Sequence, residues 1–216
     1  MSQTKKTRIQ TLGEEIANAT SHGVGTLLAI AACVVLIVRA AFKSTAIGVV
    51  SASIYGASLI LLYTFSSLYH SLTNRKAKYV FRVFDHCSIF FLILGTYTPI
   101  CLTMIKGGMG WTLFGINTFC TVLGIVFNSI SLNRFAKPSL VLYVLMGWSV
   151  LISIKRVIEL IPLSGMVFLV IGGLCYTIGI IFYKLKNIKY MHFVWHLFVL
   201  GGSITHYFFV LFYCYK

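Results

Sequence analysis

Acidic residues are nearly missing from this chain. Its 216 residues include four, Glu14, Glu15, Asp85 and Glu159, against 18 lysines and arginines. Charged residues of both signs make up only 10%, whereas a soluble domain usually carries about 25%. No soluble domain remains once the apolar runs are set aside. The strict apolar-polar alternation of outer-membrane barrel strands is absent too. None of the six cysteines (Cys33, Cys87, Cys101, Cys120, Cys175, Cys214) belongs to a CxxC pair, so they read as small core residues and not as disulfides or metal ligands. No P-loop, GxSxG motif, internal repeat or low-complexity tract is visible. The polar opening of about 20 residues lacks the apolar core and cleavage site of a signal peptide.

What is there is apolar. Hydrophobic residues make up 58% of the chain, in runs near the 20 or so residues that a bilayer-spanning helix needs. Seven spans are expected, near 22–39, 46–70, 85–104, 110–131, 139–155, 163–183 and 190–213, after a polar segment 1–21. The class is an all-α polytopic membrane protein forming one domain over 1–216. Pro99 is expected to kink the third span. Lys155-Arg156 and Pro162 mark the end of the fifth. Gly172-Gly173 and Gly201-Gly202 suit close helix packing in lipid.

The net charge of +14 does not point to nucleic acid, because the basic residues sit in short loops. There they set topology and meet anionic headgroups. With the N-terminus inside, twelve basic residues are cytoplasmic: Lys5, Lys6, Arg8, Arg75, Lys76, Lys78, Arg82, Arg134, Lys137, Lys184, Lys186 and Lys189. Six are outside: Arg39, Lys43, Lys106, Lys155, Arg156 and Lys216. The bias predicts a cytoplasmic N-terminus.

That topology brings four ionisable residues to one depth. His70 ends the second span, Asp85 opens the third, and His192 and His196 open the seventh. Four residues apart on a helix, His192 and His196 share a face, with Cβ atoms about 5–6 Å apart. With His70 as a third imidazole, they match a catalytic zinc site that keeps one position open. Such an ion lowers the pKa of a bound water to about 7. Asp85 is a candidate for orienting that water or taking its proton; as the first residue of its span it equally suits an N-cap. Ser66, one turn before His70, is a candidate for holding a ligand or the water. Ionisable groups in membrane spans are costly and usually functional. His86 points to another helix face and reads as an interface residue. His206, about 15 Å beyond His196 along the helix, reads as core.

A second polar cluster precedes the first span. Glu15, Asn18 and His22 fall at helical spacing on one side, with Ser21 beside them and Gly25 following. A structural or gating role suits this cluster, and His22 is also a candidate fourth ligand. The tryptophans, Trp111, Trp148 and Trp195, suit interface belts and core.

These segments resemble the haemolysin III family, the bacterial branch of the progestin and adipoQ receptor family. The likeness rests on Glu15-Ile-Ala-Asn18-Ala-Thr-Ser21-His22-Gly-Val-Gly25, Ser66-Ser-Leu-Tyr-His70-Ser and Phe84-Asp85-His86. It continues through Leu94-Gly-Thr-Tyr-Thr-Pro99 and His192-Phe-Val-Trp-His196 to His206. The resemblance implies seven helices, with zinc bound by His70, His192 and His196 and its water contacted by Asp85. Related families include alkaline ceramidases, which hydrolyse a lipid amide, and the adiponectin receptors. Three functions follow as expectations: a zinc-dependent lipid amidase or esterase, a non-enzymatic sensor of membrane state, and a cytolysin acting on host membranes. The partners expected are membrane lipids, and the place a bacterial plasma membrane with the metal site near its cytoplasmic face.

Overall fold

The computed structural model describes residues 8–215, and every regular element among them is helical. Lys5, Lys6 and Lys216 of the charge count lie outside the described residues. The helices are α1 (Leu12–Lys43), α2 (Ala46–Ser71), α3 (Arg75–Pro99), α4 (Gly107–Ile130), α5 (Ala136–Gly147), α6 (Ile154–Leu160), α7 (Leu163–Lys184) and α8 (Met191–Phe209). Short π-helical segments, Ile100–Ile105 and Val210–Cys214, prolong α3 and α8. A 3-10 turn, Ser149–Ser153, joins α5 to α6 into one span. Seven helical segments are thus long and apolar enough to cross a bilayer.

The outer surface is apolar. Leu27, Phe42, Phe119 and Leu163 are all exposed, a dressing that lipid tails cover and water would not tolerate. Polar residues turn inward instead: Glu14, Asn18, His22, Asn117 and Asn128 are all buried. The sequence neighbours α1 and α2, α2 and α3, and α7 and α8 pack along one another, and α1 also meets α8. Close approach uses small residues. Gly172 lies directly against the His206 ring and Gly202 against Tyr176, so a Cβ at either would collide with the facing helix.

Three boundaries differ from the hydropathy reading, each for a physical reason. The first helix begins at Leu12, ten residues before the apolar run. A capping box starts it: Thr11 Oγ1 accepts the Glu14 N–H while the Glu14 carboxylate accepts the Thr11 N–H. Its 32 residues extend about 48 Å, well beyond the 30 Å or so of hydrocarbon. The segment carrying Glu15, Asn18 and His22 is therefore a continuation of the first membrane helix.

The third helix begins at Arg75. Asn74 caps it, its side chain accepting the N–H groups of Lys76 and Ala77. Asp85 is therefore not an N-cap. It sits ten residues into α3, about 15 Å from its start. In the fifth span, Lys155-Arg156 does not mark the end; both residues lie within α6, which continues to Leu160. The span is interrupted earlier, and Tyr97 bridges the gap. Its hydroxyl accepts the Val150 N–H (2.8 Å) and donates to the Gly147 carbonyl (2.9 Å). At Pro99, which has no N–H to give, the α-helix passes into the wider π segment.

Candidate metal centre

The end of α2 and the start of α8 meet beside the start of α1. Each of His70, His192 and His196 offers a ring nitrogen, and the three nitrogens lie within 4.8 Å of one another. Helical spacing accounts for the α8 pair: the Nε2 atoms of His192 and His196 are 3.2 Å apart. His70 comes from α2, its ring centroid 5.1 Å from each of the other two.

Partners on α1 decide which nitrogens are available. Glu15 Oε2 lies 2.7 Å from His70 Nδ1. A carboxylate only accepts, so Nδ1 carries the proton and the lone pair sits on Nε2. That Nε2 is buried and has no partner. Lys78 holds the other oxygen of Glu15 at 2.9 Å. Ser21 Oγ donates to the Asn18 carbonyl (2.9 Å), which leaves its oxygen to accept from His196 Nδ1 at 3.3 Å. His196 Nε2 is then also a lone-pair donor. An imidazole anchored through one nitrogen and open at the other is the arrangement of a metal ligand supported by its surroundings. A buried, unsatisfied ring nitrogen costs free energy that nothing else present repays. The donor set therefore fits a borderline-soft divalent ion such as zinc.

The remaining candidates fall into two groups. His22 lies outside the converging set. Its ring stacks on His196 at 3.6 Å between centroids and meets the edge of Tyr63 at 5.0 Å, and both of its nitrogens are unpartnered. Asn18 donates to Gln10 Oε1 at 3.0 Å and lies 3.4 Å from His70 Nδ1. Glu15 and Asn18 thus both sit at His70. Ser66 and Asp85 line a cavity that His22, His192 and His196 also line, whereas His70 is not among its lining residues. Ser66 Oγ is buried without a partner. The nearest basic nitrogen to the Asp85 carboxylate is His86 Nδ1, at 3.6 Å. That same nitrogen lies 2.9 Å from the Arg82 carbonyl and donates to it. His206 Nε2 donates to the Leu169 carbonyl at 3.1 Å, far down α8.

The cavity has a volume of about 260 Å³ and runs from His192 and His196 inward as far as His206. Below the imidazoles its wall is largely apolar, with Ile93, Trp148, Ile180 and Val199.

One contribution is not apparent from residue pattern. Glu14, 2% exposed, joins the N-terminal segment to the start of α8. Its carboxylate pairs with Arg8 and accepts the Thr11 and Tyr190 N–H groups, both at 2.8 Å. Tyr190 has a left-handed backbone, φ 62°, and stands two residues before His192. The neighbouring Glu15 was the available hint, because two adjacent acids in so acid-poor a chain cannot share one helix face.

Fold and site together define a class: a multi-pass helical membrane protein with three converging imidazoles, two buried and one half-buried, beside a cavity that two of them line. The family is specific. Residues 10–207 match the family model described as Haemolysin-III related, and the chain belongs to that family. It is 43% identical over 210 residues to hemolysin-3 of Bacillus cereus, covering 97% of this chain and 96% of the relative. It is 45% identical over 206 residues to the hemolysin-3 homolog of Bacillus subtilis strain 168, covering 95% and 97%. A more distant similarity, 25% identity over 177 residues, covers 77% of this chain and 71% of the human monocyte to macrophage differentiation factor.

Proposed function

We propose that the protein is a zinc-dependent hydrolase of acyl lipids, acting on an amide or ester bond. What carries the reading is the convergence of His70, His192 and His196, with two of the rings fixed by Glu15 and Ser21, beside a mostly apolar cavity that His192 and His196 line. When bound, zinc would supply Lewis acidity toward a carbonyl and water.

The chain's own residues supply the rest. Glu15 and Ser21 keep the Nε2 lone pairs of His70 and His196 turned to the ion. Asp85 holds the attacking water, takes its proton and returns it to the leaving nitrogen or oxygen. The water oxygen bonds to the acyl carbon, the carbon–nitrogen or carbon–oxygen bond breaks, and a fatty acid and an amine or alcohol leave. Ser66, with an uncommitted hydroxyl, holds the carbonyl or the water. The apolar wall receives the acyl chain and keeps bulk water out. Membrane lipids are the partners. The excess of basic residues in the loops expected on one side of the membrane supports an N-terminus and metal site at the cytoplasmic face of the plasma membrane.

A second reading comes from the relative called hemolysin-3: permeabilisation of a host membrane. The two separate cleanly. Purified, never-chelated wild type should hold about one zinc per chain, on the three-ligand pattern of catalytic sites, and the His70→Ala, His192→Ala and His196→Ala variants should hold none. Asp85→Asn should keep the zinc and lose at least about 100-fold in turnover of acyl amides or esters. A folded wild type without metal ends the hydrolase reading. Lysis of red cells by purified protein, indifferent to Asp85→Asn, favours the second.

A further inference from the structure

Three helices run away from the metal centre along the cavity, and each changes character the same way. Cavity-lining residues on α3 pass from Arg82, Asp85 and His86 to Ile89, Ile93 and Thr96. Those on α8 pass from His192 and His196 to Val199 and, last, His206. The antiparallel α7 repeats the order in reverse, from Gly173 through Ile180 to Tyr183, with Lys186 just beyond its end. One end carries the charges and the other is mostly apolar, with Thr96, Tyr176, Thr177 and His206 as polar members, and His206 lies about 15 Å along the helix from His196. That is the outline of an amphiphile.

The charge at the mouth has a sign. Arg82, half-buried, and Lys186, exposed at its rim, both line it, and neither has a carboxylate within ion-pairing distance among the described residues. The other ionisable groups lining this end are His22, Asp85, His86, Tyr183, His192 and His196, so two cations face one carboxylate. Partial burial, and then the Arg82 charge, hold the Lys186 ammonium below the usual lysine range, as expected of cations brought together without a counter-ion. Arg82 precedes Asp85 by three residues and so shares its face of α3. An anion on Arg82 would therefore sit one helical turn from the proposed site of bond cleavage.

We infer that the cavity selects an amphiphile with an anionic headgroup, phosphate or carboxylate, seated on Arg82 and Lys186, with one acyl chain lying inward toward His206. The inference rests on the hydrolase reading for its chemistry but not for its binding geometry. It names the substrate class: an anionic single-chain acyl lipid is preferred to a neutral one.

The test is binding without turnover. Calorimetric titrations are run in a neutral detergent with dodecyl phosphate, dodecyl glucoside and inorganic phosphate. Chelator-treated protein is used, so that no ion at the histidines attracts the anion. Wild type should bind dodecyl phosphate about tenfold or more tightly than the glucoside, the range of charge-assisted pairing. Arg82→Gln and Lys186→Gln together should abolish the preference, and Lys189→Gln, an exposed cation outside the cavity, should leave it intact. Equal binding of the two amphiphiles by wild type, or a preference surviving in the double variant, overturns the inference. So does inorganic phosphate binding as tightly as dodecyl phosphate, since the chain would then contribute nothing. Failure of the hydrolase reading looks different: the anionic preference is present, but the zinc-loaded protein cleaves neither lipid class.

Discussion

Among the polar clusters buried in the described residues, two are built on opposite principles. Around Tyr97, Asn117 and Ser149, donors and acceptors are matched. Asn117 donates to the Leu113 carbonyl (3.0 Å) and to Ser149 Oγ (2.9 Å), Ser149 donates to the Met146 carbonyl (2.8 Å), and Tyr97 closes the break between α5 and α6. Around the imidazoles, valence is left over: His70 Nε2, both nitrogens of His22, Ser66 Oγ and Asn18 Oδ1 have no partner. In lipid, an unsatisfied polar group is expensive. A matched cluster is glue between helices, whereas a cluster of converging orphans is a binding site kept at the expense of stability. Unpartnered hydroxyls also occur at Tyr55, Tyr63 and Tyr215, but these side chains bring no ring nitrogen or carboxylate with which to hold an ion, although Tyr63 meets the His22 ring.

The sharpest way to break this contrast is to delete one residue from each cluster. His192→Ala should abolish zinc binding by removing one of three ligands and, from a half-buried position, should cost the metal-free protein less stability than Asn117→Ala does. Asn117→Ala should do the reverse, keeping one zinc per chain while costing about 1–3 kcal/mol, because Ser149 loses its partner. Zinc titration and thermal unfolding of both variants with and without chelator check this. Equal stability losses in the two metal-free variants would erase the distinction.

Next in size is Glu15→Gln. An amide can still accept from His70 Nδ1 but no longer fixes the tautomer by charge, and it loses the pairing with Lys78. Metal affinity should fall about 10–100-fold while stoichiometry stays at one. Competition with a chromophoric chelator measures it. An unchanged affinity would mean that His70 is oriented by packing alone.

The sequence carried much of this contrast, and particular residues explain where it stopped. Seven apolar runs were legible because lipid demands them, and the His70, His192 and His196 set followed once helix direction was known. The role of α1 was harder to see. Hydropathy places Glu14 to Ser21 outside the span, since it sums residues without their partners. Glu14 is buried because Arg8 and the Tyr190 N–H neutralise it, and Tyr190 is 176 positions away. Asp85 was misread as a helix start for a related reason. The stretch Arg75–Arg82 is too basic to register as a span, although Asn74 begins a helix there. The 3-10 break at Ser149–Ser153 left no pattern, since its support comes from Tyr97 on another helix.

A smaller effect belongs to Tyr97→Phe. The Val150 N–H and Gly147 carbonyl lose their partner inside the membrane, at about 1–2 kcal/mol. The loss should appear in thermal unfolding, with zinc affinity unchanged. A fall in affinity as well would show that the break in the fifth span is coupled to the metal centre through α3, and the two clusters would then be one system.

The smallest expected effect tests the contrast where it is finest. Ser21 touches both principles: its hydroxyl proton goes to the Asn18 carbonyl within α1, as glue would, while its oxygen faces His196 Nδ1 at 3.3 Å. The helix has its own hydrogen bonds, so Ser21→Ala should barely alter folding. It should weaken zinc binding about two- to tenfold, the worth of one neutral hydrogen bond, by freeing His196 to place its proton on Nε2. Ser21→Thr retains the hydroxyl and should restore most of the affinity. The proton position can be followed directly by nitrogen chemical shifts of His196 in metal-free protein. A tautomer unchanged in Ser21→Ala would shift the control of His196 to the stacked ring of His22, and His22 rather than Ser21 would then mark the boundary between scaffold and site.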